Sequence, residues 1–324
     1  MNSKLSKLPA RVLIANRGEI AVRLMRTVSD LGIATVAIYS AEDASSLHVS
    51  MADETIALEG QGAAAYLDAK QIVAAAKSAE CDAIHPGYGF LSENADFARM
   101  CEATGITFIG PGAELLDLFG DKVQAREVAS HLNVPILEGT PGPTTLEQAT
   151  AFFESLGQGA AVMVKAVSGG GGRGIRAVER IEDLAEVYER CRSEAERSFG
   201  SPEVYLERLV RRARHIEVQI VGDGTGAISH LWERECTLQR RHQKLVEIAP
   251  SPWISDVVRE RVLTAAVSMA KSTRFKSLGT FEFLVDLDRA DEVVFIEANP
   301  RLQVEHTVTE EVTGYDLVAI QLKL

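Results

Sequence analysis

An α/β chain is what the sequence predicts, with a parallel sheet first and antiparallel sheets after it, on three observations. Short apolar runs alternate with helix-like segments through the first third. Four consecutive glycines then separate two strand-like runs, and from His215 onward long alternating strands follow one another across short turns. At 324 residues the chain is long enough for two or three domains of about 100–150 residues, each with a sizeable core.

The first rhythm is βαβ. The runs "RVLIA" (11–15), "TVAIY" (35–39), "ETIAL" (54–58), "DAIHPG" (82–87) and "TFIGP" (107–111) are its strands. Between the first two, "EIAVRLMRTVSDLG" places Ile20, Leu24, Val28 and Leu31 on one helical stripe and stops at Gly32. "LSENADFARMCEATG" repeats the pattern, with Ser92 expected as the N-cap and Gly105 as the stop. Residues 1–118 are therefore expected to form an open parallel sheet of Rossmann type. Its first turn, "ANRGEIA", has one glycine where the dinucleotide fingerprint needs three, which excludes NAD.

Residues 119–324 have a different texture. "LLDLFGDKVQAREVASHLNVP" reads as a helical connection. A helix, "PTTLEQATAFFESLG", the glycine segment, a charged helix, "IEDLAEVYERCRSEAERSFG", and the strand "EVYLERL" make a small α+β lid from about 135 to 208. "HIEVQIVGD", "GAISHLWERECTL", "GTFEFLVDL" and "EVVFIEANPR" then read as an antiparallel sheet, with turns at 222–226 and 286–291. There is no internal repeat and no low-complexity tract.

In the segment "VMVKAVSGGGGRGIRAV" (162–178) a lysine precedes the glycines, and the chain resumes as a strand. A phosphate loop of the G-x-x-x-x-G-K-[ST] kind has its lysine after the glycines, at a helix start. The order here predicts a hairpin whose glycine tip folds over an anion and presents N–H groups to it. A flexible hairpin or linker reads equally well from the glycines alone.

Composition narrows the partners. A net charge of -12 and a pI of about 5.2 disfavour nucleic acid for the molecule as a whole. Local basic clusters still matter, because charges more than about 8 Å apart are largely screened; two stand out, "RLVRRARH" (208–215) and "QRRHQK" (239–244). Cys81, Cys101, Cys191 and Cys236 show no metal or disulfide spacing. No signal-peptide core and no membrane-length apolar run is present, so a cytoplasmic protein is expected.

The chemistry gathers near the end. Side chains alternate across a strand, so Glu282 faces away from Phe281 and Phe283, and Glu297 and Asn299 share a face opposite Ile296. Two carboxylates and an amide are the hard oxygen ligands that Mg²⁺ prefers beside phosphates. With a glycine flap and lysines they suggest a nucleoside triphosphate; the solvent side of a sheet is the plainer reading of each glutamate alone. In "NPRLQVEH", Arg301, Gln303 and Glu305 fall on one side of an extended chain. An arginine fork suits a small oxyanion and a carboxylate beside it can take a proton, while His242 and Lys244 add donors.

The set "VLIANRGEIAVRLMRT", "IHPGYGFLSEN", "FIGP", "GDK", "VKAVSGGGGRGIR", "RHIEVQI", "QRRHQK" and "NPRLQVEHTVTE" resembles the biotin carboxylase component of biotin-dependent carboxylases, in the ATP-grasp superfamily. The likeness spans essentially the whole chain in order, and "RRHQK" with "RLQVEH" is specific within the superfamily. It implies ATP- and bicarbonate-dependent carboxylation of biotin through carboxyphosphate. By motif, Lys122 and Lys165 would hold nucleotide phosphates under a flap tipped by Gly171 and Gly172. Glu207 would sit at the adenine edge, with His215, Gln239 and His242 lining the nucleotide site. Glu282, Glu297 and Asn299 would hold two Mg²⁺. Lys244, Arg301, Gln303 and the Val304 amide would hold bicarbonate, and Glu305 would be its base.

Two departures stand out: Ser168 where some members have glycine, and Thr307 where many acyl-CoA carboxylases have proline; "HTVTEE" is closer to pyruvate carboxylase and the large single-chain acyl-CoA enzymes. The family's domain continues beyond "TGYDLVAIQL" with a part that contacts biotin and aids dimerisation, and this part is expected to be missing. With no Met-Lys-Met sequence, biotin is expected on a carrier protein or domain, with a carboxyltransferase as further partner and a homo-oligomer as the full-length form. The final acceptor stays open between acetyl-CoA (fatty acid biosynthesis), another acyl-CoA and pyruvate. The rival readings are a carbamoyl-phosphate-synthetase-like ligase and a nucleotide-binding fragment without turnover.

Overall fold

The computed structural model describes residues 8–167, 174–240, 243–289 and 292–324. In the first part, strands β1 (Arg11–Ile14), β2 (Ala34–Tyr39), β3 (Glu54–Ala57), β4 (Ala83–His85) and β5 (Thr107–Phe108) pair in parallel in the order β3-β2-β1-β4-β5. Helices α1 (Gly18–Asp30), α2 (Leu47–Met51), α3 (Gly62–Ala65), α4 (Ala69–Ser78) and α5 (Ala95–Ala103) run between them. Alternate residues bury opposite faces: Leu13, Val36 and Ile84 join one core cluster, and Val12, Ile14 and Ala83 another. The second cluster also takes in Leu278, Leu302, Leu317 and Val318, so the later part of the chain covers that face.

Helix α1 buries Ile20, Leu24 and Val28 as its stripe predicts, and the chain leaves it through Gly32 at φ +72°. The start of α5 differs from expectation. Its cap is Asn94, whose Oδ1 accepts from Phe97 N at 2.8 Å, whereas Ser92 is used in a tighter turn, donating its own N–H to Gly89 O at 2.9 Å.

The expected helical connection is two helices, α6 (Ala113–Gly120) and α7 (Lys122–His131). Asp121 between them is extended and caps α7, accepting from Val123 N and Gln124 N at 2.8 and 3.2 Å. The break sets Lys122 at the first position of the new helix.

The lid has its own core. Helix α8 (Leu146–Ser155) opens with a capping box between Thr145 and Gln148. It packs with β6 (Val162–Ala166), β7 (Ile175–Val178), α9 (Leu184–Phe199) and β8 (Val204–Arg208) around Val162, Val164, Leu184, Cys191 and Leu206. The sheet order is β7-β6-β8, all antiparallel. The glycines 169–172 lie outside the described residues, between β6 and β7.

The third sheet, β11-β10-β9-β12-β13, is antiparallel and consists of β9 (Ala213–Asp223), β10 (Ile228–Arg240), β11 (Gln243–Ile248), β12 (Lys276–Asp286) and β13 (Glu292–Asn299). Helix α10 (Asp256–Ser272) covers one face, packing Val262, Ala266 and Met269 with Ile216, Val218, Phe281 and Phe283. Helices α11 (His306–Thr313) and α12 (Leu317–Lys323) return to the first part. There Arg23 of α1 bonds Glu310 at 2.7 Å and Asp316 at 3.0 Å, tying the two parts of the chain together.

Candidate active site

The uncovered face of the antiparallel sheet carries a row of acids. Antiparallel register sets Glu217 of β9 opposite Glu282 of β12, and Glu282 opposite Glu297 of β13. Like charges directly across strands repel, so the row needs cations to hold it. Arg234 of β10 bonds Glu217 from inside the sheet, and both side chains are fully buried. Lys244 of β11 reaches Glu217, Glu282 (3.2 Å) and Glu305 (2.5 Å). His215, with Nδ1 accepting from Gln239 Nε2 at 2.8 Å, donates Nε2–H to Glu282 at 2.5 Å. Lys122 lies 3.2 Å from Glu297.

These contacts set the charges. Burial works against the Lys244 ammonium, but Glu282 and Glu217 outweigh it and hold its pKa above the ordinary lysine value. Burial likewise opposes the charge on His215, and Glu282 turns the net shift upward. Glu297, pressed up by burial, is drawn down to about 2 by Lys122 and Lys165. Glu305 goes the other way: burial and the charge of Glu217 raise it against the pull of Lys244. The site therefore holds acids of unlike proton affinity side by side.

A bulge corrects one expectation. The register shifts between Glu282 and Phe283, so that Phe283 faces Phe295 and one residue of β13 is left over. Ile296 therefore lines the cavity beside Glu297 and Asn299 rather than facing away from them. A second correction concerns "RLQVEH". The chain does not stay extended: Glu305 is the residue before α11, at φ -81° and ψ 12°, and Val308 N already bonds its carbonyl. This turn, not strand alternation, brings Glu305 to Lys244.

Lid and sheet face each other across a cavity of about 760 Å³. Its walls include Lys122, Lys165, Glu207, His215, Gln239, Lys244, Glu282, Glu297, Asn299, Arg301, Gln303, Val304 and Glu305. Gly171, Gly172 and His242 lie outside the described residues. Lys165 of β6 and Glu207 of β8 are diagonal neighbours on one face, since Lys165 pairs with Tyr205 and Met163 with Glu207. They form an ion pair, and Arg126 of α7 takes the other oxygen of Glu207. Leu137, Met163, Ile175, Leu284 and Ile296 make an apolar portion fit for a flat ring, beside a charged portion fit for phosphates.

The metal expectation meets a suitable donor set. Glu282 and Glu297 stand opposite each other on the cavity side, and Asn299 donates to Glu282 at 2.7 Å while its own Oδ1 accepts from Arg301 at 3.3 Å. Hard oxygens so gathered suit Mg²⁺ beside phosphate. A different trio, Glu217, Cys236 and Glu305, brings its ligand atoms within 4.8 Å. Arg234 and Lys244 already neutralise it, and burial and Glu217 raise the Cys236 thiol so that it keeps its proton.

The residues that sequence reasoning missed are Arg126, Glu217, Arg234 and Glu93. Arg126, Glu217 and Glu93 each grip a residue that lines the cavity (Glu207, Lys244 and Arg301), and Arg234 acts one step further back by holding Glu217. Alternation along "HIEVQ" places Glu217 on the same face as His215, which was signal enough to find it. The four cysteines are buried and free, and among the described residues no helix is long and apolar enough to cross a membrane.

The family described as "Biotin carboxylase, N-terminal domain" matches residues 9–116, and "Carbamoyl-phosphate synthase L chain, ATP binding domain" matches residues 121–324. A pyruvate carboxylase of Staphylococcus aureus is 51% identical over 315 residues, covering 96% of this chain and 27% of the relative. The chain thus spans about a quarter of the length of the curated relatives it matches. The biotin carboxylase domain dimer of Hydrogenobacter thermophilus 2-oxoglutarate carboxylase, solved with MgADP, ADP and bicarbonate, superposes with a TM-score of 0.93 at 44% identity, covering 98% of this chain and 69% of that one. A biotin carboxylase–β,γ-ATP complex from Campylobacter jejuni gives 0.93 at 42% identity, covering 97% and 70%.

Proposed function

The chain belongs to the biotin carboxylase family, and from that premise we propose that it carries out the ATP- and bicarbonate-dependent carboxylation of biotin presented by a carrier protein or domain. The observation that supports this most is the division of the cavity. Lys122 pairs with Glu297 and Lys165 with Glu207, whereas Lys244 pairs with Glu305 and Arg301 with Gln303, and all eight residues line one cavity.

In this reading Lys122 and Lys165 bind nucleotide phosphates, and Glu207 aims Lys165 through their ion pair. Glu282, Glu297 and Asn299 would hold Mg²⁺, which when bound neutralises phosphate charge during transfer. Lys244, Arg301 and Gln303 orient bicarbonate, and Glu305 takes its proton, since burial and the charge of Glu217 raise its proton affinity above that of an ordinary glutamate. The lid excludes water from the carboxyphosphate so formed. A carboxyltransferase and a second copy of the chain complete the proposed assembly in the cytoplasm, with residues 1–118 and 119–324 as its two domains. Pyruvate and 2-oxoglutarate stand ahead of acetyl-CoA as final acceptor, because the relatives named above are carboxylases of those acids.

The test is ADP release by the purified protein with bicarbonate and biotin added singly and together. Dependence on both, with labelled carboxybiotin as product, is the expected result. Dependence on bicarbonate and ammonia instead would establish the carbamoyl-phosphate-type reaction. Nucleotide binding with no turnover under any condition would overturn the enzymatic reading.

A further inference from the structure

The segment "IHPGYGFLSEN" stands out in the sequence, yet none of the roles above uses it. It forms the loop that follows β4 and leads to Asn94, the cap of α5. From this loop Glu93 reaches across to Arg301 and accepts from its Nε. The other cavity cations take their partners from the second part of the chain: Lys122 from Glu297, Lys165 from Glu207, and Lys244 from Glu217, Glu282 and Glu305.

The loop is firmly held. Asn16, buried in the "ANRG" turn, donates Nδ2 to Pro86 O at 2.7 Å and to Tyr88 O at 2.8 Å. Gly87 sits at φ +65°, where an added Cβ would lie 3.0 Å from Ile20 and 3.2 Å from Asn16 Nδ2, so the close approach requires glycine. On the far side, Ser92 N bonds Gly89 O at 2.9 Å and Asn94 N bonds Leu91 O at 3.1 Å. Glu93 is thus flanked by two residues with fixed backbone. Asn16, from the turn that lacks a dinucleotide fingerprint, and Gly87 together hold the loop that aims this carboxylate.

Arg301 shows what the aim achieves. Nε points back to Glu93, Nη1 meets Gln303 Oε1 at 2.7 Å, and Nη2 meets Asn299 Oδ1 at 3.3 Å. Arg301, Gln303 and Asn299 line the cavity, and Glu93 does not. A guanidinium is planar, so fixing Nε from behind fixes the direction of both Nη groups. The Glu93 side chain is 41% exposed, and pairs of that kind contribute little to folding stability. Orientation is the effect left for it to exert.

We propose that Glu93 is a positioning residue for the oxyanion end of the site: through Arg301 Nε it holds the guanidinium fork that receives bicarbonate, so that a loop of the first part completes the cavity of the second. The proposal rests on the reading of that end as a bicarbonate site.

The experiment is a double-mutant cycle of Glu93→Gln and Arg301→Ala in the protein, read two ways: bicarbonate affinity by calorimetry on the MgADP-loaded protein, and steady-state ADP release. Glu93→Gln is expected to weaken bicarbonate binding and raise its KM on the order of tenfold, as loss of one charge-assisted hydrogen bond does, with KM for ATP held within about twofold because the nucleotide lysines have other partners. In the Arg301→Ala background the same change is expected to alter kcat/KM by less than about twofold. An unchanged bicarbonate affinity, equal losses for ATP and bicarbonate, or additive effects of the two substitutions would each overturn the proposal. If the parent protein neither binds bicarbonate nor shows bicarbonate-dependent ADP release, the functional reading falls and takes this one with it. If the parent does both and Glu93→Gln does not differ from it, this inference alone falls.

Discussion

Arg234→Met removes the cation that anchors the acid row from inside the sheet. Arg234 donates Nε to Glu217, Nη1 to Gln219 (3.0 Å) and Thr309 (2.8 Å), and Nη2 to Thr280 (3.3 Å). Arg234 and Glu217 are both 0% exposed, so no water replaces what is lost. Glu217 gives one oxygen to Arg234 and the other to Lys244, and after the change only Lys244 remains to it. Breaking a buried pair from one side costs about 3–5 kcal/mol. Four hydrogen bonds at a net ~1 kcal/mol each lead to a similar figure, about 4 kcal/mol. With a melting temperature that moves ~2–4 °C per kcal/mol in chains of this order, the fall is roughly 6–20 °C. Thermal unfolding of the parent, Arg234→Met, Glu217→Gln and the double variant measures it. Met fills much of the volume of Arg, and the amide introduced by Glu217→Gln carries no charge, so the double variant should lose far less than the sum of the two single ones. A loss below about 1 kcal/mol, or strict additivity, would refute the claim that this pair holds the row together.

Three further outcomes follow from the same geometry. Glu282→Gln combined with Glu297→Gln should abolish Mg²⁺-dependent nucleotide turnover while circular dichroism stays that of the parent; retained turnover would remove these residues from the metal site. Glu305→Gln should retain ATP binding and lose about 10²–10⁴-fold in bicarbonate-dependent ATP cleavage, as expected for a missing general base; cleavage at the parent rate would assign the base elsewhere. His85, driven by burial from 6.5 to about 3, stays neutral in the fold while the unfolded chain binds its proton. Its stabilising effect is whole above pH 6.5 and is withdrawn at ~1.4 kcal/mol per pH unit as pH falls toward about 3, so His85→Asn should flatten the acid limb of urea stability; an unaltered limb would contradict the shift.

The parallel and antiparallel halves were legible because each leaves a period in the sequence. Val12, Leu13 and Ile14 form an unbroken apolar run, as a strand buried on both faces requires, whereas "HIEVQI" alternates. The glutamates of β12 and β13 could be assigned to faces by the same rule, but only as far as the bulge. Nothing in "FIEAN" marks an extra residue, because a bulge is a property of two strands and the sequence shows one at a time. The break at Asp121 had a local signal, since Gly-Asp is a stop followed by a cap, and the strong helical pattern on either side hid it. Strand alternation and side-chain chemistry pointed to Glu282, Glu297, Asn299, Arg301, Gln303, Glu305 and Lys244, and motif resemblance added Lys122, Glu207, His215, Gln239 and Val304 among the residues that line the cavity. It did not supply Glu93, Glu217, Arg126 or Arg234, whose partners lie far along the chain and become visible only when register and loop geometry bring them together.

Those partners explain how a chain of net charge -12 can present cations to a polyanion. A lysine buried in a cavity is driven by desolvation toward the neutral form, which would leave phosphate or bicarbonate without a counter-charge. Lys244 escapes this because Glu282 and Glu217 more than offset its burial. Lys165 is gripped by Glu207, which stays ionised for the reciprocal reason: burial raises it, and Lys165 and Arg126 pull it below the ordinary glutamate value. The acids behind the cations are therefore not surplus charge working against an anionic ligand. Each fixes a cation in direction before the ligand arrives, so reorganisation is small when charge develops. Replacing one of these acids by its amide should then weaken anion binding, although a count of net charge predicts that it would strengthen it. Glu207→Gln is the sharpest case, since Glu207 serves both Lys165 and Arg126. Nucleotide affinity by calorimetry should fall, and a rise would mean that bulk charge, not pre-set geometry, governs the site.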